Sequence, residues 1–293
     1  MSSRGRLSLA LILSTALAAF EFWGGAASRS LALTTDAVHV CIDVLALVIA
    51  LLAAIGATRR ANRRKTFGYG RLEILGALLN GAILLGATGV IVYQAILRFR
   101  APVEPHGLMM TIVAAIGLAV NLSIGLGLAR HQHEHNVRAV LAHVVGDAVG
   151  AIAVIIGGVL IALTGAAWID PALSLFVAAI IIIGVTGVLR DASDVLLEAA
   201  PAGVDSGEVE SQIRALAGIE GVHDLHVWTI GSGSHALSAH LLVDPEQLME
   251  SPAILERLRT MVRERYGIGH VTVQLECEHC DPGGIVICRS DQP

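Results

Sequence analysis

An α-helical bundle of six membrane spans over residues 1–198, followed by a small α+β domain over 199–293, is the architecture this sequence predicts. Hydrophobic residues make up 54% of the chain and charged ones 15%, and the mean hydropathy is +0.69, a balance of membrane proteins rather than of soluble domains. The apolar residues fall into six runs, each close to the ~20 residues a helix needs to cross a bilayer. After Pro201 the runs stop and short amphipathic patterns take their place.

Arg4 and Arg6 precede the first run, about Leu7 to Ala27, which carries Glu21 and is expected to bury it in the bundle. The order of basic, apolar and small residues also fits a signal peptide, but its cleavage would break the charge parity described next. The second run, about Leu33 to Ala57, is followed by Arg59-Arg60-Ala61-Asn62-Arg63-Arg64-Lys65, the densest basic cluster in the chain. The positive-inside rule makes this loop cytoplasmic. The third run, about Leu72 to Leu97, spaces Gly76, Gly81 and Gly86 for close helix contact. The fourth spans about Gly107 to Ala129 and the fifth about Ala139 to Leu163; the Arg- and His-bearing loop between them falls on the cytoplasmic side again. The sixth, about Pro171 to Leu189, ends at Arg190. Six spans place both termini in the cytoplasm, with the inner (plasma) membrane as the expected location.

In the last part, Val209, Ile213 and Leu216 have helical spacing. Val222 to Ile230 and His235 to Val243 read as strands joined by a hairpin loop at Gly231-Ser232-Gly233-Ser234. Ile254, Leu258 and Met261 mark a second helix, and His270 to Glu276 alternates as a third strand. The order αββαβ predicts helices packed on one small sheet. About 80 residues is marginal for a single core, so pairing with another copy is expected. From Ala199 on there are 14 acids against 6 bases, and the net charge of the whole chain is -5, which gives no reason to expect a nucleic-acid partner. Of four cysteines, Cys41 lies in a span and three cluster near the end, which is no secreted disulfide framework.

Two stretches organise the chemistry. His39-Val40-Cys41-Ile42-Asp43 and His143-Val144-Val145-Gly146-Asp147 both read H-x-x-x-D, and both lie within spans. Residues four apart share a helix face, so each span offers an imidazole beside a carboxylate. Two such helices facing each other present two nitrogens and two oxygens, a tetrahedral set suited to Zn2+. Ionisable groups are expensive inside a membrane, so a matched pair of motifs points to function. Cys41 is two residues from both His39 and Asp43 and points away from them, so no soft ligand joins the set. With the metal gone, two carboxylates are left close together, and protons compete with metal for the same oxygens. Asp36, one turn outward, either lines the exit path or caps the span.

Four stretches carry a resemblance. Leu33-Thr34-Thr35-Asp36-Ala37-Val38-His39 running on to Asp43, Phe67-Gly68-Tyr69-Gly70-Arg71-Leu72-Glu73, His143 to Asp147, and Val222-His223-Asp224-Leu225-His226-Val227-Trp228 together resemble the cation diffusion facilitators, in particular their zinc-type members. The resemblance covers nearly the whole chain. It implies a homodimer of six-span protomers with ferredoxin-like cytoplasmic domains that exports divalent metal against an inward proton flow. Zn2+ is then the transported ion, His39, Asp43, His143 and Asp147 are the transport site, and no cofactor or enzymatic activity is implied. A regulatory metal site would fall on His223, His240 and Glu276. The Arg/Lys loop after the second span lacks the His and Asp ligands that some members carry there. Gln274 stands where binuclear members have a ligand. A basic and an acidic residue near the cytoplasmic surface, here Arg71 and Glu198, lock related transporters.

Three further features need weighing. Cys277-Glu278-His279-Cys280 is a C-x-x-C beside a histidine, which extends the candidate cytoplasmic set to Cys277 and Cys280. His131, His133 and His135 alternate in a loop that formally matches an inverted zinc-protease motif. The alternation fits weak metal collection by a cytoplasmic loop, and equally a solvated polar loop. His226 and Trp228 read as packed in the sheet or at a dimer contact. Against export stand a membrane sensor that binds zinc without moving it and an intramembrane metalloprotease; the latter needs a general-base Glu on the metal face, and neither Glu21 nor Glu73 has the spacing.

Overall fold

The computed structural model describes residues 3–129, 134–231 and 233–277, with the backbone alone described at 3–11, 125–129, 134–144, 245, 247 and 248. Six long helices come first: α1 Ser3–Ser28, α2 Leu31–Ala57, α3 Arg71–Arg100, α4 Gly107–Ala129, α5 Glu134–Thr164 and α6 Ile169–Leu196. Among the described residues, α2, α3, α6, the Gly107–Ile124 part of α4 and the Val145–Thr164 part of α5 are each long and apolar enough to cross a membrane. α1, at 26 residues, completes the six. The chain is a multi-pass membrane protein.

By contacts the chain divides into two compact units, one of residues 1–51 and 76–189 and the other of residues 52–75 and 190–293. In the first unit, small residues let helices approach. A Cβ on Gly107 would come 2.3 Å from the Gly158 carbonyl, and one on Gly158 would come 2.4 Å from Thr111 Oγ1, so α4 and α5 touch backbone to backbone. Gly81 likewise admits Leu189 of α6. The glycine stripe of α3 does not continue as expected, since the space beside Gly86 is open. Arg29, at φ 55, turns the chain between α1 and α2, and Ser30 then caps α2 by accepting from the Leu33 N–H at 3.1 Å.

The second unit holds the small domain: α7 Ser206–Arg214, β1 Gly221–Gly231, β2 Ser234–Leu242, a 3-10 turn, α8 Ser251–Tyr266 and β3 Ile268–Glu276. The sheet order is β1-β2-β3, antiparallel then parallel, which is the expected αββαβ arrangement. Asp205 caps α7 through the Gly207 N–H, and Gly267, at φ 67, ends α8 in the left-handed conformation that glycine takes without strain. Val209 and Ile213 of α7 and Ile254, Leu258 and Val262 of α8 pack on Leu237, Ala239 and Leu241 of β2. Alternation along a strand then puts Ser238 and His240 on the other face of the sheet, away from the helices.

Candidate metal centres

The first centre is intramembrane. His39, Asp43 and Asp36 lie along one face of α2, at spacings of three, four and seven. His39 Nε2 stands 3.6 Å from Asp43 Oδ2 one turn on, and 3.5 Å from Asp147 Oδ1 on α5. One imidazole therefore stands between two carboxylates from different helices. Both carboxylates thus face the same ring nitrogen within ion-pair distance. His39 and Asp147 are largely buried, at 14% and 17% side-chain exposure. His143 is on α5 one turn before Asp147, where its backbone is helical; its side chain lies outside the described residues. Cys41 is exposed, turned away from this group as its spacing predicts.

Two more acids are buried nearby in the same unit. Asp36 is 6% exposed. Glu21 of α1 is fully buried, as expected for its place in the first span, with neither oxygen hydrogen-bonded. Gly117 of α4 makes the room, since a Cβ there would come 2.1 Å from Glu21 Oε1.

The second centre is on the small sheet. His223 of β1 and His240 of β2 are paired directly across the antiparallel ladder, and Glu276 ends β3 beside them. Glu276 Oε2 lies 2.9 Å from His223 Nε2, and Oε1 lies 2.8 Å from His240 Nδ1. One ligand atom from each of the three falls within 4.8 Å of the others, which is coordination range for a single ion. Gln274 donates to Glu276 Oε1 at 3.0 Å, so it orients the carboxylate from outside the set. His223 Nδ1 is buried without a hydrogen-bond partner. Two imidazoles and one carboxylate with an open side are the donor set of a zinc site that keeps one position free.

Sequence reasoning missed Asp224 here. It has φ 51 at a bulge between His223 and His226, a conformation Asp tolerates better than most residues. From there its carboxylate stands 3.8 Å from His240 Nε2 and 3.0 Å from His226 Nε2. The only sequence signal was an Asp between two histidines in a strand, where Asp is disfavoured. Within the protomer His226 is not packed in the sheet: its side chain is 65% exposed, because the bulge turns it outward, while Trp228 is half-buried.

The family model of the cation efflux transmembrane domain matches residues 7–197, and that of the cation efflux protein cytoplasmic domain matches residues 201–278. This chain belongs to the cation efflux family, the cation diffusion facilitators. The cadmium, cobalt and zinc/H(+)-K(+) antiporter of Bacillus subtilis (strain 168) is 36% identical over 287 residues, 97% of this chain and 92% of its own. The cation efflux system protein CzcD of Alcaligenes sp. (strain CT14) is 37% identical over 276 residues, 94% of this chain and 87% of its own. The zinc transporter ZitB of Escherichia coli (strain K12) is 36% identical over 264 residues, 89% of this chain and 83% of its own. A solved structure, the metal-bound C-terminal domain of the CzcD transporter from Cuprividus metallidurans, is 40% identical, covering 25% of this chain and 99% of its own, with a TM-score of 0.24.

The remaining expected residues are placed as follows. Cys277 is buried directly after β3, next to Glu276 in the chain. Cys280, His131 and His133 lie outside the described residues, and His135 is described only as backbone in α5. Arg71 and Glu198 do pair, at 2.9 Å. At 38% and 61% exposure such a pair contributes about 0–1 kcal/mol, enough to orient a segment but not to lock it alone. Asp170, the other residue the sequence reading passed over, receives hydrogen bonds from the start of α2 and from Arg98. Its signal was an acid directly before Pro171 at a helix start, where carboxylates serve as caps.

Proposed function

We propose that this protein exports Zn2+ from the cytoplasm across the plasma membrane in exchange for protons, with both termini cytoplasmic. The observation that carries the reading is the meeting of His39, Asp43 and Asp147 from two spans inside the bundle. His143, one turn from Asp147, supplies the second nitrogen. Two carboxylates neutralise the ion and two neutral imidazoles complete a tetrahedral shell. Protons arriving from the other side compete for the same oxygens, so one site serves both ions in turn. The relatives named above as a zinc transporter and a zinc/H(+)-K(+) antiporter support this cargo and this exchange. Purified protein in sealed vesicles should accumulate zinc when a pH gradient is imposed and stop when a protonophore collapses it. A sensor would bind zinc without accumulating it, and that outcome would remove the proposal. No cofactor and no catalytic step are needed.

The sheet site is proposed as regulatory and the protein as a homodimer, in which zinc on His223, His240 and Glu276 stiffens the small domain. The support is the convergence of three ligand-type side chains, each only partly buried, within 4.8 Å of one another. A ligand at a hundred times its Kd stabilises by about 2.7 kcal/mol, which for a domain this size is a Tm rise of roughly 10 °C or more. The segment 199–293 should show that rise with saturating zinc, and the His223→Ala/His240→Ala double variant should not. An unchanged Tm in the unaltered segment would count against a site there.

A further inference from the structure

α2 carries half of the intramembrane centre, and its fully buried residues are gathered at one end. All its buried residues lie between Leu31 and Ile42, and beyond them Leu47, Leu51 and Ile55 are more than half exposed. The polar anchor of the buried end is a single carboxylate. Asp170, in the first turn of α6 and fully buried, accepts from Ser30 Oγ at 2.6 Å, from the Leu31 N–H at 2.7 Å and from the Ala32 N–H at 3.2 Å. Arg98, in the last turn of α3, donates to it at 3.0 Å and to the Arg29 carbonyl at 2.7 Å. Thus one buried anion caps the first turn of α2 from a different helix and is neutralised by a cation from a third. Hydrogen bonds to an ionised acceptor away from water are among the strongest and most directional a fold makes.

His39 is nine residues from Ser30, about 13 Å along the helix axis, and it reaches across to Asp147 on α5. Metal sites need their ligands held to within about 0.5 Å and 10–20°. A turn or slide of α2 at its anchored end is transmitted along a rigid helix to His39 and Asp43. We propose that Asp170 is a positioning residue for metal transport: by fixing the outer end of α2 to α6 and α3, it sets where His39 and Asp43 stand relative to Asp147, and so sets metal affinity and metal choice. The inference rests on the reading of His39, Asp43 and Asp147 as the transport site.

The test uses the full-length protein in vesicles, with zinc and cadmium as the cations and rates normalised to folded protein recovered by gel filtration. Asp170→Asn should raise the KM for zinc about tenfold to a hundredfold, the range seen when support behind metal ligands is removed, and should narrow the difference between the zinc and cadmium KM values. Ser30→Ala, which removes one donor to Asp170 and the cap on Leu33, should shift both in the same direction by less. Arg98→Lys should stay closer to wild type than Arg98→Gln. A knot that only holds the fold together would lower yield and Tm but leave KM and metal ranking unchanged in the folded fraction, and that result overturns the proposal. Where Asp170→Asn does not fold, Ser30→Ala decides on the same criterion. Asp147→Ala is run alongside: normal flux in it removes the transport site and this proposal together, whereas lost flux there with unchanged KM and ranking in the Asp170 and Ser30 variants removes the positioning role alone.

Discussion

Zinc flux through purified Asp43→Ala or Asp147→Ala protein should fall by at least about a hundredfold, with membrane insertion retained. Losing groups that only support metal ligands already costs about ten- to a hundredfold, and these residues are proposed as ligands themselves. Either change leaves a dication facing one carboxylate, so a net charge stays uncompensated in a low-dielectric interior, where a lone charge is most expensive. His39 stands 3.6 Å from Asp43 and 3.5 Å from Asp147, so each variant also removes one of the two acids between which the imidazole is held. The measurement is initial zinc uptake by vesicles at matched protein content. Near-normal uptake in either variant would take the intramembrane centre out of the mechanism.

The second large effect is on metal choice. His39→Asp should keep measurable transport but let Mn2+ and Cd2+ compete with zinc, with zinc uptake itself reduced about tenfold or more. The change turns a set of two nitrogens and two oxygens into one nitrogen and three oxygens. Harder oxygen ligands favour Mn2+ relative to Zn2+, and a looser shell tolerates the larger Cd2+. The 14% exposure of His39 gives the shorter Asp little room to recruit solvent in its place. Competition flux assays with the three metals decide the matter, and an unchanged ranking would show that His39 only packs against its neighbours.

The spans were legible because hydropathy and length are what a bilayer selects, but their ends were not. α3 runs on through Arg98, Phe99 and Arg100, and α5 begins at Glu134 in a polar stretch, since charged residues at a membrane surface can remain helical. The pairing of His39 with Asp43 was legible because both sit on one helix at a spacing that sequence displays, whereas the approach of Asp147 is a contact between helices and the side chain of His143 lies outside the described residues. Asp170 was not, because its donors come from residues 138 to 140 positions earlier and from Arg98, 72 away, and no local pattern joins them. Asp224 escaped for another reason. Its reach to His240 depends on a left-handed backbone at a bulge, and alternation rules assume a regular strand there. His223 and Glu276 were assigned by family resemblance, and the parallel pairing of β2 with β3, which sequence alone does not specify, is what brings Glu276 beside the two histidines.

The most direct measurement is of both ions at once: zinc entry and proton exit in the same vesicles, each with its own fluorescent indicator, for the unaltered protein and for Asp147→Asn. Exchange at one site requires that added zinc drive proton movement in the opposite direction, in a fixed ratio and with the same zinc dependence, and that Asp147→Asn abolish both together. Zinc entry that proceeds without proton exit, or proton movement that survives in Asp147→Asn after zinc flux is lost, would contradict a shared site.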